Sequence, residues 1–103
     1  MPIDQIKSRN GFGAVPTGSY TLLVSENYRR KWFSITCPST APAPMLVCLT
    51  YGSDVSNDYG LIYLHQGSSL ILSATGDQPW SGSVLATGVA LASYCYWTEC
   101  YAE

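Results

Sequence analysis

A chain of 103 residues is the usual size of one domain with a single hydrophobic core, so the sequence predicts one fold that carries the function. Hydrophobic residues make up 47% of the chain and charged residues 12%, which excludes a disordered tail, and no apolar run reaches the roughly 18 to 20 residues of a membrane-spanning helix. All five basic residues lie within the first 31 positions, whereas the stretch from Trp32 onward has five acidic residues and no Lys or Arg. A chain with so little charge is expected to bury part of its surface in interfaces with partners, unless Ser, Thr and Tyr alone keep that surface hydrated.

The first 18 residues are predicted to be an extended N-terminal arm. They contain Gly11, Gly13, Pro16 and Gly18 and no sustained apolar period. They also lack the apolar stretch of a secretory signal, so synthesis in the cytoplasm is expected.

Residues 19–103 are predicted to form an all-β domain of about seven short strands, because β-branched and aromatic runs alternate with Gly and Pro turns. The expected architecture is a small β-sandwich or a jelly-roll-like barrel. The predicted strands cover residues 20–25, 31–37, 45–51, 60–64, 69–73, 81–91 and 93–101. The run at 45–51 is apolar on both faces, which predicts a central strand or one covered by another subunit. Such a sheet has edge strands, and pairing with another subunit would cover them.

Four cysteines allow either two disulfides or free thiols. Cys95 and Cys100 are five residues apart, so on one regular strand they would face opposite sides. No C-x-x-C pair is present and His65 is the single histidine, so the spacing of a zinc site is missing. Buried, reduced thiols are the favoured interpretation.

No motif in the sequence predicts an enzyme or a cofactor. His65 is the one candidate base, and the YLHQGSSL segment around it is typical of a turn and has no oxyanion-hole signature. The glycines of GFGAVPTG lack the Lys of a phosphate-binding loop. A net charge of −2 argues against nucleic-acid binding. Trp80, in a loop, could serve as a sugar platform, so a carbohydrate-binding or host-attachment module is the alternative hypothesis.

The order of features from Asn27 onward resembles small virion proteins of tailed bacteriophages, of the capsid decoration, cement or head-fibre type. The similarity covers about three quarters of the chain. It rests on Asn27, Arg30, Trp32 and Ile35, then Gly67, Ser68 and Leu70, then Trp80, Gly82, Val84 and Ala86, and finally Thr98 and Glu99.

The resemblance implies a structural virion protein, most simply a capsid decoration or cement subunit that stabilises the capsid lattice. Its partners would be the major capsid protein or another virion protein, and further copies of itself in a dimer or trimer, with no nucleic acid and no membrane. The expected location is the virion, after synthesis in the host cytoplasm.

The expected partner contacts follow from the uneven charge and from the apolar residues of the arm. Basic residues would give register and salt sensitivity, and apolar burial would give affinity, with help from the outward residues of 45–51 and 94–101. The named contacts are Ile3, Lys7, Arg9, Phe12, Val15, Arg29, Arg30 and Lys31.

Overall fold

The structure is a computed structural model that describes residues 6–51, 58–73 and 80–102, and the side chains of residues 58–60 and 73 lie outside that description. Within these ranges the chain forms eight strands and no helix. No membrane-crossing helix is therefore present in the described part of the chain. The strands are β1 (Ile6–Val15), β2 (Thr21–Val24), β3 (Arg30–Cys37), β4 (Met45–Thr50), β5 (Asp58–Leu64), β6 (Ser68–Ser73), β7 (Ser83–Gly88) and β8 (Ser93–Ala102).

The strands form two four-stranded sheets, and every neighbouring pair is antiparallel. Sheet A has the order β1-β8-β3-β6, and sheet B has the order β2-β7-β4-β5. The chain passes repeatedly from one sheet to the other, so most neighbours within a sheet are distant in sequence. Strand β4 lies between β7 and β5, which confirms the prediction of a central strand there.

One hydrophobic core lies between the two sheets. Alternate residues of β3 supply Phe33 and Ile35 from sheet A, and alternate residues of β4 supply Met45 and Val47 from sheet B, all with no exposed surface. Burial of each such side chain contributes about 1.5 to 3 kcal/mol. This is the arrangement of a β-sandwich and confirms the all-β prediction.

Each of the seven predicted strands has a counterpart among β2 to β8, and β1 is the strand that the sequence did not predict. The count of about seven was therefore one too low. The glycines that suggested a flexible arm serve close packing instead: a Cβ at Gly11 would lie 2.3 Å from the Trp97 indole, and one at Gly13 would lie 2.6 Å from Leu23. The division of the chain at residue 18 stays a prediction.

Candidate assembly surfaces

Four strands of the sandwich have one hydrogen-bonded side open. In the described part of the chain, β1 and β6 are the edges of sheet A, and β2 and β5 are the edges of sheet B. Strand β6 has the sequence SSLILS and β2 has TLLV, so neither has a charged residue or a proline to block pairing with another chain. The β1 edge contains Lys7 and Arg9 and the β5 edge begins with Asp58, so β2 and β6 are the edges without charged residues to oppose strand addition.

The outer face of sheet A, the side away from the core, has no charged side chain among its regularly paired described residues, and exposed Lys31 lies at its end, at the irregularity between Arg30 and Trp32. Phe33, Ile35 and Cys95 point into the core. Because side chains alternate along a strand and paired residues share a face, the residues next to these three in sequence, and their cross-strand partners, point outward. The outward residues are Ile6, Ser8, Asn10, Phe12 and Ala14 of β1, Tyr94, Tyr96, Thr98, Cys100 and Ala102 of β8, Trp32, Ser34 and Thr36 of β3, and Ser69 and Ile71 of β6.

Three rings form a cluster on this outer face. The ring centroid of Phe12 lies 5.5 Å from that of Tyr94 and 5.5 Å from that of Tyr96, and the two tyrosine rings are 6.1 Å apart. Phe12 and Tyr96 are nevertheless 59% and 53% exposed, and Ile71 on the edge strand is 58% exposed. Large apolar surface is therefore held in a fixed arrangement and left open to solvent.

The outer face of sheet B is also uncharged among its described side chains. Leu22 on β2 and Leu61 and Tyr63 on β5 are its most exposed members, at 44%, 53% and 47%. Between them, Cys48 and Leu85 are buried. The exposed apolar residues of sheet B thus lie on its two edge strands.

The described charges gather at one end of the sandwich, around a buried ion network. The Glu99 side chain has no exposed surface and accepts hydrogen bonds from Arg30 Nε at 2.6 Å and from Arg9. Arg30 is 1% exposed and also donates to the backbone carbonyls of Gly82 and Ser25, each at 2.7 Å. Each nitrogen of the Arg30 guanidinium therefore donates to an oxygen within the subunit, which is what a buried charge requires.

The ion network changes the acidity of Glu99. Burial alone would raise the pKa of this carboxyl, but hydrogen bonds and positive charge from Arg30 and Arg9 outweigh burial, and the pKa lies below its ordinary value. Glu99 is thus ionised at neutral pH, and β1, β3 and β8 are joined through one carboxylate.

None of the four cysteines, all of which lie in described ranges, forms a disulfide. Cys37, Cys48 and Cys95 are buried and Cys100 is half-buried. Burial raises the pKa of the Cys95 thiol to about 11 and also raises that of Cys37. The expected buried thiols are confirmed for three of the four, and Cys100 lies on the outer face of sheet A.

The structure separates the predicted partner contacts into three groups. Lys7, Arg9, Phe12, Arg29 and Lys31 are exposed. Val15 and Arg30 are each 1% exposed and point into the subunit, so their side chains are not at its surface as the sequence had suggested. Ile3 lies outside the described residues. Contact of the exposed group with a partner stays a prediction.

Trp80 and His65, the two side chains considered for sugar binding and catalysis, make packing contacts within the subunit. The Trp80 ring lies 5.0 Å from the Tyr51 ring, packs against the core and donates from Nε1 to the Ser83 carbonyl at 3.2 Å. His65 is exposed, and its ring lies edge-on to Tyr63 at 4.5 Å. Among the described residues no group of three or more His, Cys, Asp or Glu side chains could hold a metal ion.

Sequence comparisons give no relatives: no family model matches the chain and no curated protein matches it. Structural comparison does give similar folds. One is a structure described in the words "Bacillus endospore appendages form a novel family of disulfide-linked pili", with a TM-score of 0.59 and 14% identity over 98% of this chain and 91% of that one. Another is the crystal structure of PirA, with a TM-score of 0.56 and 11% identity over 93% of each chain.

These comparisons overturn the virion hypothesis. The similar structures are an endospore appendage protein and PirA, so the assignment to phage capsid decoration and the virion as location are wrong. The capsid protein as partner has no support. The alternative, a carbohydrate-binding or host-attachment module based on Trp80, has no support either. The residues that suggested the phage family have structural roles here: Arg30 pairs with Glu99, and a Cβ at Gly82 would lie 2.4 Å from the Trp80 ring.

Several exposed apolar residues were not predicted from the sequence as candidate contacts. The outward residues of 94–101 were named as candidate contacts, but Leu22, Leu61 and Ile71 were not. Each occupies an edge strand of four to seven residues, where alternation is too short to separate an outer face from a buried one. The strand order, which the sequence leaves open, decides that these strands are edges.

Proposed function

We propose that this chain is a structural subunit that assembles with copies of itself into a polymer, and that it has no catalytic activity. The observation that carries the proposal is the pair of open edges on each of its two sheets. The fold likeness to an endospore appendage protein, described as forming pili, supports it. So do the outer faces of the two sheets, whose regularly paired described side chains are uncharged.

Strand direction favours an open polymer over a closed pair. Each sheet has four strands and all its pairings are antiparallel, so its two edge strands run in opposite directions. A second copy placed beside the first without being turned over would therefore bring β1 next to β6 as an antiparallel pair. The same displacement would bring β2 next to β5 in sheet B. Contacts between two different surfaces repeat indefinitely when the rotation does not close a ring.

The strand order also supports the finer description of the fold as a jelly roll. That architecture has eight strands in two sheets with Greek-key connections, and this chain has two four-stranded sheets between which the chain passes repeatedly. A continuous polymer would leave such a fold with unpaired edges only at its two ends.

The proposed assembly is not covalent. The appendage protein is described as disulfide-linked, whereas three of the four thiols here are buried within the subunit. We therefore expect the purified chain to form the same polymers with and without a reducing agent, as seen by negative-stain electron microscopy and sedimentation velocity.

A charge-swap experiment tests edge pairing directly. In the proposed junction, Leu22 on the β2 edge of one copy and Leu61 on the β5 edge of the next lie on the same outer face. A double variant with Leu22→Lys and Leu61→Lys puts like charges at every junction and should prevent polymerisation, since like charges on neighbouring strands are destabilising. The matched control, Leu22→Lys with Leu61→Glu, places opposite charges there and should polymerise in a salt-dependent way.

Two results would refute edge pairing. One is a wild-type chain that stays monomeric at every concentration reached. The other is equal polymerisation by the two double variants.

A further inference from the structure

We propose that the outer face of sheet A is a second interface, which docks on the same face of another copy of this chain. This contact is separate from edge pairing and does not depend on it. The four strands of the sheet present it as one surface, and the Phe12, Tyr94 and Tyr96 cluster lies within it.

The chemistry of this face points to another uncharged surface as the partner. Its regularly paired residues are uncharged and Lys31 lies at its end, so the face offers too little positive charge to attract nucleic acid, an anionic lipid surface or an acidic protein. A second copy of the chain brings the same predominantly uncharged face. Docking of one face on its equivalent is self-complementary and closes after two copies, as in a two-fold dimer.

Several polar groups of the face have partners within the subunit, which lowers the cost of removing water from them. Thr98 donates to the Asn10 side chain at 2.8 Å, and the Thr36 and Ser69 hydroxyls lie 2.7 Å apart. The Tyr94 hydroxyl lies 2.7 Å from that of Thr40. A polar group that keeps its hydrogen bond when buried avoids most of the desolvation penalty.

The exposed apolar groups would supply the attraction. Phe12, Tyr96 and Ile71 each expose more than half of their surface and span the sheet from one edge strand to the other. The rings already contact one another, so docking would fix few additional torsions. Aromatic side chains held in this way are typical of interface hot spots.

The size of the face predicts a weak contact. Four strands at about 4.8 Å spacing and six to ten residues at about 3.3 Å give a face of roughly 400 to 600 Å². Stable interfaces bury about 800 Å² on each partner, and the lower limit is about 600 Å². One pair of copies should therefore associate weakly, whereas the same contact repeated along two polymers would hold them side by side.

The test uses the Leu22→Lys and Leu61→Lys background, in which like charges disrupt the β2–β5 half of every edge junction. Tyr96 is on the interior strand β8, so its substitution separates face docking from any β1–β6 pairing that remains. This background should show a monomer–dimer equilibrium by sedimentation equilibrium. Adding Tyr96→Lys places a charge at the centre of the face and should raise the dissociation constant by at least about tenfold. Adding Leu91→Lys instead, at a 59% exposed residue in the turn before β8, should leave it unchanged. Circular dichroism checks that each variant is folded.

Cys100 provides an independent measure, because it lies on the proposed face. Its rate of reaction with a maleimide should fall as the background variant dimerises, and the fall should be lost with Tyr96→Lys. A background variant that stays monomeric, equal effects of Tyr96→Lys and Leu91→Lys, or a dimer in which Cys100 reacts at the monomer rate would each overturn the proposal. Wild-type chain that forms dimers but no polymers would refute edge pairing and leave face docking standing.

Discussion

Replacing Glu99 with alanine is expected to be among the most destabilising single changes in this chain. The Glu99 carboxylate has no exposed surface, and it neutralises Arg30, whose side chain is 1% exposed. Removing it would leave the guanidinium buried with only carbonyl oxygens as partners. Loss of one member of a buried ion pair costs about 3 to 5 kcal/mol, because the other charge stays uncompensated.

Arg9→Ala is the matched comparison, because it breaks the other ion pair of the same carboxylate. The Arg9 side chain is 54% exposed, and an exposed ion pair contributes only about 0 to 1 kcal/mol. Urea unfolding followed by tryptophan fluorescence would measure both variants, in the Leu22→Lys and Leu61→Lys background so that assembly does not contribute. If Glu99→Ala cost no more than Arg9→Ala, the buried network would not be holding β3 and β8 together as described.

Three further predictions follow from the core and the ion network. Because the pKa of Glu99 is lowered in the folded state, the stabilisation by its carboxylate is present above the unfolded pKa of about 4.3 and is lost as the pH falls through the folded pKa. Urea unfolding at several pH values should therefore show that Glu99→Gln loses less stability on acidification than the wild type does. Equal losses would contradict this. In native protein at pH 8, a maleimide should modify Cys100 much faster than Cys95, whose burial raises its pKa to about 11, as peptide mass spectrometry would show; equal rates would contradict the burial. Gly11→Val should cost about 1 to 3 kcal/mol in urea unfolding, because a Cβ there meets the Trp97 indole at 2.3 Å, and an unchanged midpoint would contradict that contact.

The sequence was sufficient for the fold class because the strand signal is local. Alternation in KWFSITC places Phe33 and Ile35 on one face, and both are fully buried in the core. Strand β1 was not predicted because Gly11 and Gly13, taken without their packing partners, suggest flexible positions. They allow close packing against side chains of other strands: Gly11 against Trp97 of β8 and Gly13 against Leu23 of β2. No local pattern contains that information.

The candidate surfaces depend on strand order, which the sequence leaves open. Arg30 and Glu99 are 69 residues apart and meet because β3 pairs with β8. Without that pairing Arg30 looked like one of three exposed basic residues at the start of a strand. The phage resemblance failed for a related reason: Arg30, Trp80 and Gly82 maintain the sandwich, so their order indicates a fold and carries no information about what the fold assembles into.

Cryo-electron microscopy of the purified chain at high concentration tests the central claim most directly. Edge pairing predicts a polymer in which both sheets continue from one copy to the next, with β6 beside β1 and β5 beside β2. Four strands per copy at about 4.8 Å give a repeat of roughly 19 Å along the sheets. A chain that stays monomeric, or a polymer whose copies leave these four edges unpaired, would contradict the claim.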